Sequence, residues 1–481
     1  MSAPFIWIIF PGIVAIVFFF LRRSERIVVF LGAAVSIWLA LIAWLLPIGE
    51  VVTLGQFSLK ITESFFVLGR EFILTDVDRP FLALLFFLHT AWVLGAYIAH
   101  PGEVFVPFAF LMVALLTAAL AVEPFLYAAL LIEVIVLVAI PLLAPPGTKP
   151  GRGVFRFLTF QTFGMPFILF TGWMLAGLEA SPGDLQLVQR AGVLLGIGFA
   201  FLAAVFPFHS WIPMLAEEAH PYIVAFIFFM LPGMVSLFGL GFLDRFVWLR
   251  ESQPVHEMLR TIGMVMAVVG GMWAAFEIHL GRMLGHFAVV EMGLTLMAIG
   301  LGNHQGLLIY FWLILPRVAA FILWAIGLSL IKRRAGGDLR LSALQGLGRY
   351  RPLLSISLLL AHFSLAGLPF LAGFPVRLAL WQQLAVLYPI VAGGAILGNV
   401  GVLVGGLRTM SVLFAATEWE PPFVGDELVQ TPLSASIPPK RLLSRMFFVV
   451  SAGLVLAIGL FPDKYLPLLN RLAAMFEQLG G

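Results

Sequence analysis

Residues 206–214 read FPFHSWIPM, and residues 367–376 read GLPFLAGFPV. Each lies in a long apolar stretch, 190–219 and 352–386, that is too long and too proline-rich for one simple helix. Proline removes a backbone donor and clashes with the preceding turn, so each stretch reads as an interrupted helix. Pro207 and Pro213 mark the first break; Pro369, Gly373 and Pro375 mark the second. A lone glutamate sits in an apolar run roughly 75 residues before each break, Glu133 in LLIEVIVLV and Glu291 in AVVEMGLTL. The glutamates are 158 residues apart and the breaks 162 apart, which points to an internal repeat. Paired interrupted helices in two halves of a chain mark the substrate path of many transporters.

Composition widens this into a fold class. The chain has 481 residues, of which 61% are apolar and only 11% charged, where a soluble domain carries about 25% charged residues. The mean hydropathy is +1.05. A soluble globular enzyme is excluded. The apolar runs are helix-length and not alternating, which excludes an outer-membrane barrel. Cysteine is absent, so disulfides, cysteine-ligated iron–sulfur clusters, a thiolate nucleophile and covalent haem are excluded. No phosphate loop, dinucleotide fingerprint or zinc motif occurs, and the histidines do not suggest axial haem ligands. No cofactor is expected in this chain. The net charge of +3 reads as loop bias and not as nucleic-acid binding. The first apolar run, 4–21, has no basic residues before it and no cleavage site, and reads as a retained helix.

Breaks at charge, proline and glycine clusters give about 14 crossings, expected at 4–21, 27–46, 80–99, 104–122, 124–144, 155–178, 190–219, 222–243, 258–278, 284–302, 306–331, 352–386, 388–410 and 444–462. An all-α polytopic membrane protein is therefore expected. Residues 47–79 alternate and carry charge, and read as an extra-membrane hairpin or loop. Residues 411–443 read as a long polar loop, and the tail after Pro462 as a short amphipathic segment. The expected organisation is 1–103 (three helices and the hairpin), 104–257 and 258–410 (two five-helix repeats), and 411–481 (loop, last helix, tail). Five is odd, so the repeats would be inverted. Lys and Arg cluster at Arg22–Arg26, Lys149–Arg156, Lys332–Arg351 and Lys440–Arg445. All four clusters fall on one side under this count, which places both termini outside.

Charges inside the spans carry the functional reading. An ionised side chain at mid-bilayer costs about 2.5–3.5 kcal/mol on insertion scales, so such residues mark pathways or buried pairs. Glu133 and Glu291 lie near mid-span, Arg317 lies within LILPRVAAFIL, and Arg377 follows the second break. They read as a buried polar axis for protons, the alternative being static ion pairs that hold helices together. Glu277, His286 and His362 lie nearer predicted ends, where side chains snorkel to water. Glu217 and Glu218 read as a solvated pair.

Several motifs resemble one family. PFHSWIP (207–213), FSLAGLPFLAGFPVRL (363–378) and HLGRMLGHFAVVEMG (279–293) are similar to signature segments of the antiporter-like membrane subunits of respiratory complex I. FILTDVDRPF (72–81) and the final GLFPD (459–463) fit as well. The family includes Mrp-type cation/proton antiporter subunits, membrane hydrogenase subunits and the membrane partner of an inorganic-carbon uptake system. The resemblance spans essentially the whole chain. It implies a proton-translocating subunit of a redox-driven pump in a bacterial or archaeal membrane. Membrane partners, lipids and peripheral redox subunits would surround it, and its short tail suits an M- or N-type subunit. By resemblance, Glu133 matches the glutamate of span 5 and His209 the motif histidine. Glu291 stands where His or Gln is frequent, and Arg317 and Arg377 stand at lysine positions. The lysine of span 7 falls at Leu202 and that of span 8 at Gly233 or Met234. Arginine holds its proton, so Arg317 and Arg377 would steer charge without relaying it.

Overall fold

Apolar segments fold here as helices because a helix pairs its own backbone N–H and C=O groups without help from water. The computed structural model describes residues 2–54, 57–67, 69–180, 185–334, 338–416 and 439–480. A π-helical turn, Phe5–Ile9, runs into α1 (Phe10–Leu21), followed by α2 (Glu25–Leu45), α3 (Arg79–Ala99), α4 (Phe105–Ala121), α5 (Ala128–Leu143) and α6 (Arg152–Ala180). Next come α7 (Leu185–Leu202), α8 (Trp211–Glu218), α9 (Pro221–Arg245), α10 (Gln253–Phe276), α11 (Leu280–Ile299) and α12 (His304–Arg334). The chain ends with α13 (Pro352–Ala366), α14 (Gly373–Leu387), α15 (Pro389–Leu413), α16 (Pro439–Leu460) and α17 (Leu466–Ala473). Nine helices among the described residues are long and apolar enough to cross a membrane by length and composition, and five shorter apolar helices accompany them.

The stretch 47–79 folds as two hairpins. β1 (Val51–Leu54) pairs antiparallel with β2 (Phe57–Lys60), and β3 (Ser64–Val67) with β4 (Arg70–Ile73). A two-residue strand, β5 (Val122–Glu123), adds to β4 directly after α4 and fixes the second hairpin over the end of that helix. Most of the polar loop read at 411–443 lies outside the described residues.

Both proline-marked stretches are broken. α7 stops at Leu202, one 3-10 turn (Phe208–Ser210) follows, and α8 begins at Trp211 with Pro213 in its first turn. α13 stops at Ala366, and Gly367 turns left-handed at φ 78°. The Leu368 N–H reaches back to the Phe363 carbonyl at 2.9 Å, closing a Schellman-type end. α14 starts at Gly373, whose N–H is taken by Ser364 Oγ at 3.2 Å. Pro375 therefore sits in the first turn of a new helix, where its missing donor has no partner to lose.

Glycine sets the tightest packing. α10 lies along α11 and α15. A Cβ at Gly271 would strike the backbone of Gly398, and one at Gly401 the backbone of Gly271. Without a hydrophobic drive between helices in lipid, such close backbone approach supplies the dispersion that holds them. Gly271→Val is expected to destabilise by at least the roughly 1–3 kcal/mol of ordinary overpacking, whereas Gly453→Val, which meets nothing within 4 Å, should be neutral. The thermal midpoints of the two variants, purified in the same detergent, check this.

Candidate functional site

Glu291 comes from α11, Arg317 from α12 and Arg377 from α14, and the fold brings the three together. The Arg317 Nε donates to Glu291 Oε2 at 3.0 Å, and its Nη2 donates to the Glu291 carbonyl at 2.9 Å and to Thr295 Oγ1 at 2.6 Å. Arg377 Nη2 donates to the other carboxylate oxygen, Glu291 Oε1. Its Nη1 donates to the Gly373 carbonyl at 3.1 Å, and its Nε faces Asn399 Oδ1 at 3.5 Å. The three residues are only 3%, 5% and 1% exposed, so all of them are buried. Two guanidinium groups share one carboxylate, and neutral oxygens take further donors.

The second break is built around Arg377. A Cβ at Gly367 would lie 2.6 Å from Arg377 Cδ, and one at Gly373 would strike its guanidinium. Both glycines clear the channel through which the arginine reaches Glu291. Pro316, one residue before Arg317, lies inside α12. It leaves the Trp312 carbonyl without its helical donor, which loosens the helix next to the ion pair.

A second polar group lies two helical turns from Arg317. Tyr310 OH is 3.0 Å from Ser236 Oγ, which in turn donates to the Gly233 carbonyl at 2.8 Å. A cavity of about 30 Å³ touches Gly233, Met234, Tyr310 and Arg317, and is otherwise lined by apolar side chains. That is space for about one water. Gly233 and Met234 thus face the Arg317 side of the molecule. Sequence reading missed Thr295, Tyr310, Ser236 and Asn399. The spacing i, i+4 from Glu291 to Thr295 and i, i+7 from Tyr310 to Arg317 would have placed the first two on the charged faces.

Glu133 stands apart from this cluster. It is half-buried on α5 and accepts a hydrogen bond from Thr162 Oγ1 of α6 at 2.7 Å. Among the described residues it forms no ion pair with a cationic side chain. Leu202 is buried and packs against Gly164, where a Cβ would meet its Cγ at 2.6 Å. Gln161 Nε2 donates to the Leu202 carbonyl at 3.2 Å, while its Oε1 is buried without a partner. His209 lies in the 3-10 turn of the first break, stacked on Phe206, with Nδ1 buried and unpartnered.

Glu277, His286 and His362 are buried, at 9%, 5% and 0% exposed, and the expectation of snorkelling side chains is corrected to that extent. His286 Nε2 lies 3.3 Å from Glu277 Oε2, and Arg282 Nε lies 3.2 Å from the same oxygen. Glu277 sits just past the end of α10. Burial pushes its carboxyl up, but hydrogen bonds from His286 and from the His279 and Ile278 N–H groups, with the Arg282 charge, hold it down at about 2. His362 is wholly buried between Phe287 and Trp324, with Nε2 on the Val402 carbonyl at 2.9 Å. Its place in the middle of the packed second half, and not its distance from a helix end, decides its burial. Glu218 is also more than a solvated charge, since its Oε2 accepts the Gly153 N–H at 2.8 Å at the start of α6.

With this geometry in view, the comparison with known proteins is direct. The transmembrane family of the NADH:quinone oxidoreductase and Mrp antiporter subunits matches residues 163–403, half of the chain. The chain belongs to this family. The match takes in His209, Glu291, Arg317 and Arg377 and leaves Glu133 outside. NADH-quinone oxidoreductase subunit 14 of Thermus thermophilus is 29% identical over 69% of this chain and 72% of its own length. Subunit N 2 of Acidobacterium capsulatum is 27% identical over 77% of this chain and 76% of its own. A chain of the Mrp complex from a Dietzia species superposes with a TM-score of 0.77 at 17% identity, covering 100% of this chain and 99% of that one. A chain of NADH-bound respiratory complex I from Thermus thermophilus gives 0.71 at 20% identity, covering 98% and 99%. This antiporter-like subunit is an integral membrane protein.

Two outcomes follow. Arg377→Met leaves Glu291 with one partner in a site tuned for two, and breaking a buried pair costs about 3–5 kcal/mol. The double variant Glu291→Gln with Arg377→Met should recover part of that loss, as read from thermal midpoints in a double-mutant cycle. The second outcome concerns His220, between α8 and α9, whose Nδ1 caps α9 by accepting the Tyr222 N–H at 3.3 Å. Burial, then the charges of Lys332, Arg333 and His100, pushes its pKa from 6.5 to about 4. Between those values the unfolded chain binds the extra proton and the folded one does not, so stability rises with pH across that window. His220→Asn keeps a capping acceptor, and the slope of thermal midpoint against pH from 6.5 to 4 should flatten.

Proposed function

We propose that this chain is a proton-translocating, antiporter-like subunit of a complex I-type, redox-driven ion pump. The observation that carries the reading is the Arg317–Glu291–Arg377 cluster, buried beside the break between α13 and α14. The helices of 104–257 and 258–410 run in the same order. The second helix of each set carries the glutamate, the third bonds to it (Thr162 to Glu133, Arg317 to Glu291), and the fourth is broken. This correspondence supports two five-helix repeats, which five crossings each would invert. Counting each broken helix once gives fourteen crossings, with both termini outside.

In this reading the two halves divide the work. Glu291, fixed between two arginines that keep their protons, sets a standing charge. Glu133 has only the Thr162 hydroxyl and is the carboxylate free to take up and release a proton. His209 at the first break, and water in the cavity between Gly233 and Arg317, join the halves. Redox chemistry belongs to peripheral partner subunits, and lipids cover the remaining apolar faces. A second reading, a membrane anchor that does not pump, is favoured by Leu202, which sets an apolar side chain where a resemblance-based pathway needs a lysine.

The test is proton uptake by the assembled complex in vesicles, driven by its electron donor. Glu133→Gln is expected to assemble and to lose most of the pumping attributable to this subunit. Full assembly with unchanged pumping in Glu133→Gln and Glu291→Gln together would establish the anchor reading.

A further inference from the structure

The C-terminal end of α2 meets the tail of the chain in a polar cleft. α2 has 21 residues, a length of roughly 31 Å, which matches a hydrocarbon core of about 30 Å. Its last turn, with Trp44 and Leu45, therefore lies at headgroup level. Trp38, Leu41, Trp44 and Leu45 are all exposed and form one apolar stripe on the helix. A tryptophan at the rim of such a stripe is an interfacial anchor. A cleft of about 300 Å³ opens at this rim, between Ala43 and Trp44 of α2, Asp76 and Arg79 before α3, and Arg471 of α17.

The charges around this cleft do not cancel. Arg79 Nε and Nη2 donate to the Ala43 and Trp44 carbonyls, each at 3.0 Å, and its Nη1 donates to Asp76 Oδ1 at 2.8 Å. The Ile48 N–H also reaches Asp76 Oδ1, at 3.0 Å. Arg79 thus covers carbonyls that end α2 and neutralises the acid lining the cleft, so neither repels an anion. Arg471 adds a charge that nothing there balances. It is exposed, and among the described residues it forms no ion pair. Its guanidinium carbon lies 5.4 Å from the centre of the Trp44 ring. α17 packs against α3 and α12 with Leu469, Leu472 and Ala473 buried, which leaves Arg471 on its open side. A guanidinium resting on an aromatic ring keeps its donors for an anion.

We infer that this cleft binds one anionic phospholipid, with the headgroup phosphate on Arg471 and the acyl chains along the Trp38, Leu41 and Leu45 stripe of α2. The fork of the guanidinium matches two phosphate oxygens, and the one unbalanced positive charge selects a lipid with a net negative headgroup. A free phosphate ion gains the charge but not the stripe. The bound lipid ties the tail to α2. The tail in turn touches α12, where the Tyr465 hydroxyl accepts the Trp312 Nε1–H at 2.9 Å and Phe476 packs on Phe311. Those two α12 residues lie one to two turns before Arg317, so headgroup binding steadies the helix that supplies the ion pair.

The test adds phosphatidylglycerol to the full chain, purified in detergent and stripped of lipid, and reads bound lipid by native mass spectrometry. Arg471→Gln should weaken the binding of one phosphatidylglycerol by about fivefold. Trp44→Leu should act in the same direction, and Arg471→Lys, which keeps the charge, should retain most of the affinity. Arg190→Gln, exposed at the start of α7, should leave it unchanged. Phosphatidylglycerol should also raise the thermal midpoint of the wild type more than that of Arg471→Gln. Phosphatidylcholine with the same chains, and inorganic phosphate alone, should show no binding that depends on Arg471. Equal phosphatidylglycerol binding by the wild type and Arg471→Gln would overturn the site. Phosphate as effective as the lipid would make the cleft a free-anion site, and Arg471-dependent binding of phosphatidylcholine at equal strength would remove the charge selectivity; either result overturns the inference. None of these outcomes depends on whether the subunit pumps, which the Glu133→Gln assay decides separately.

Discussion

The carboxylate of Glu291 held between Arg317 and Arg377 is the constraint around which the second half of this protein is arranged. Three buried charges are tolerable only when they are paired and hydrogen-bonded. Meeting them requires three helices at fixed depth and angle. Arg317 must leave a proline-loosened stretch of α12. Arg377 must emerge from the first turn of α14, with its Nη1 returning to the Gly373 carbonyl. The break at 367–372 is therefore a means of placing a guanidinium, and Gly367 and Gly373 are small because that guanidinium passes over them.

The first half repeats the plan with weaker chemistry. Thr162 does for Glu133 what Arg317 does for Glu291, but a hydroxyl supplies one neutral hydrogen bond where a guanidinium supplies charge and several donors. Glu291 is locked; Glu133 is not. Under the proposed function the two would divide the work, one holding a potential and the other changing state within it. The asymmetry also fits their surroundings, since Glu291 is sealed among helices while Glu133 is half-buried beside an exposed apolar face.

Much of this was legible in the sequence, for definite reasons. Proline and glycine announce broken helices because they act on the backbone whatever surrounds them, so Pro207 and Pro369 located both breaks. Glu133, Glu291, Arg317 and Arg377 stood out because a charge in an apolar run is too costly to be incidental. The neutral residues did not. Thr162, Thr295, Ser236, Tyr310 and Asn399 are ordinary in membrane helices, and whether each turns inward depends on helix rotation, which hydropathy does not encode. His362 was misjudged for the same reason: proximity to a helix end says nothing of the Phe287 and Trp324 rings that close over it. Pairing was equally hidden. The sequence offers two mid-span arginines and one mid-span glutamate in the second half, and only the tertiary arrangement assigns both arginines to the same carboxylate.

That assignment has a consequence for how charge can move. With two guanidiniums and one carboxylate, the buried cluster carries a formal charge of +1, and no member can discharge it by releasing a proton under ordinary conditions. The compensating change must occur elsewhere, on a group that reaches a proton source and feels the cluster's field. Thr295 Oγ1 already accepts from Arg317, Tyr310 shares the small cavity with it, and Glu133, in the other half, forms no ion pair with a cationic side chain among the described residues. Field strength falls with distance but is screened little in an apolar interior. A standing positive charge in the second half is therefore felt through the apolar interior, and under the proposed function it is the field in which Glu133 would work.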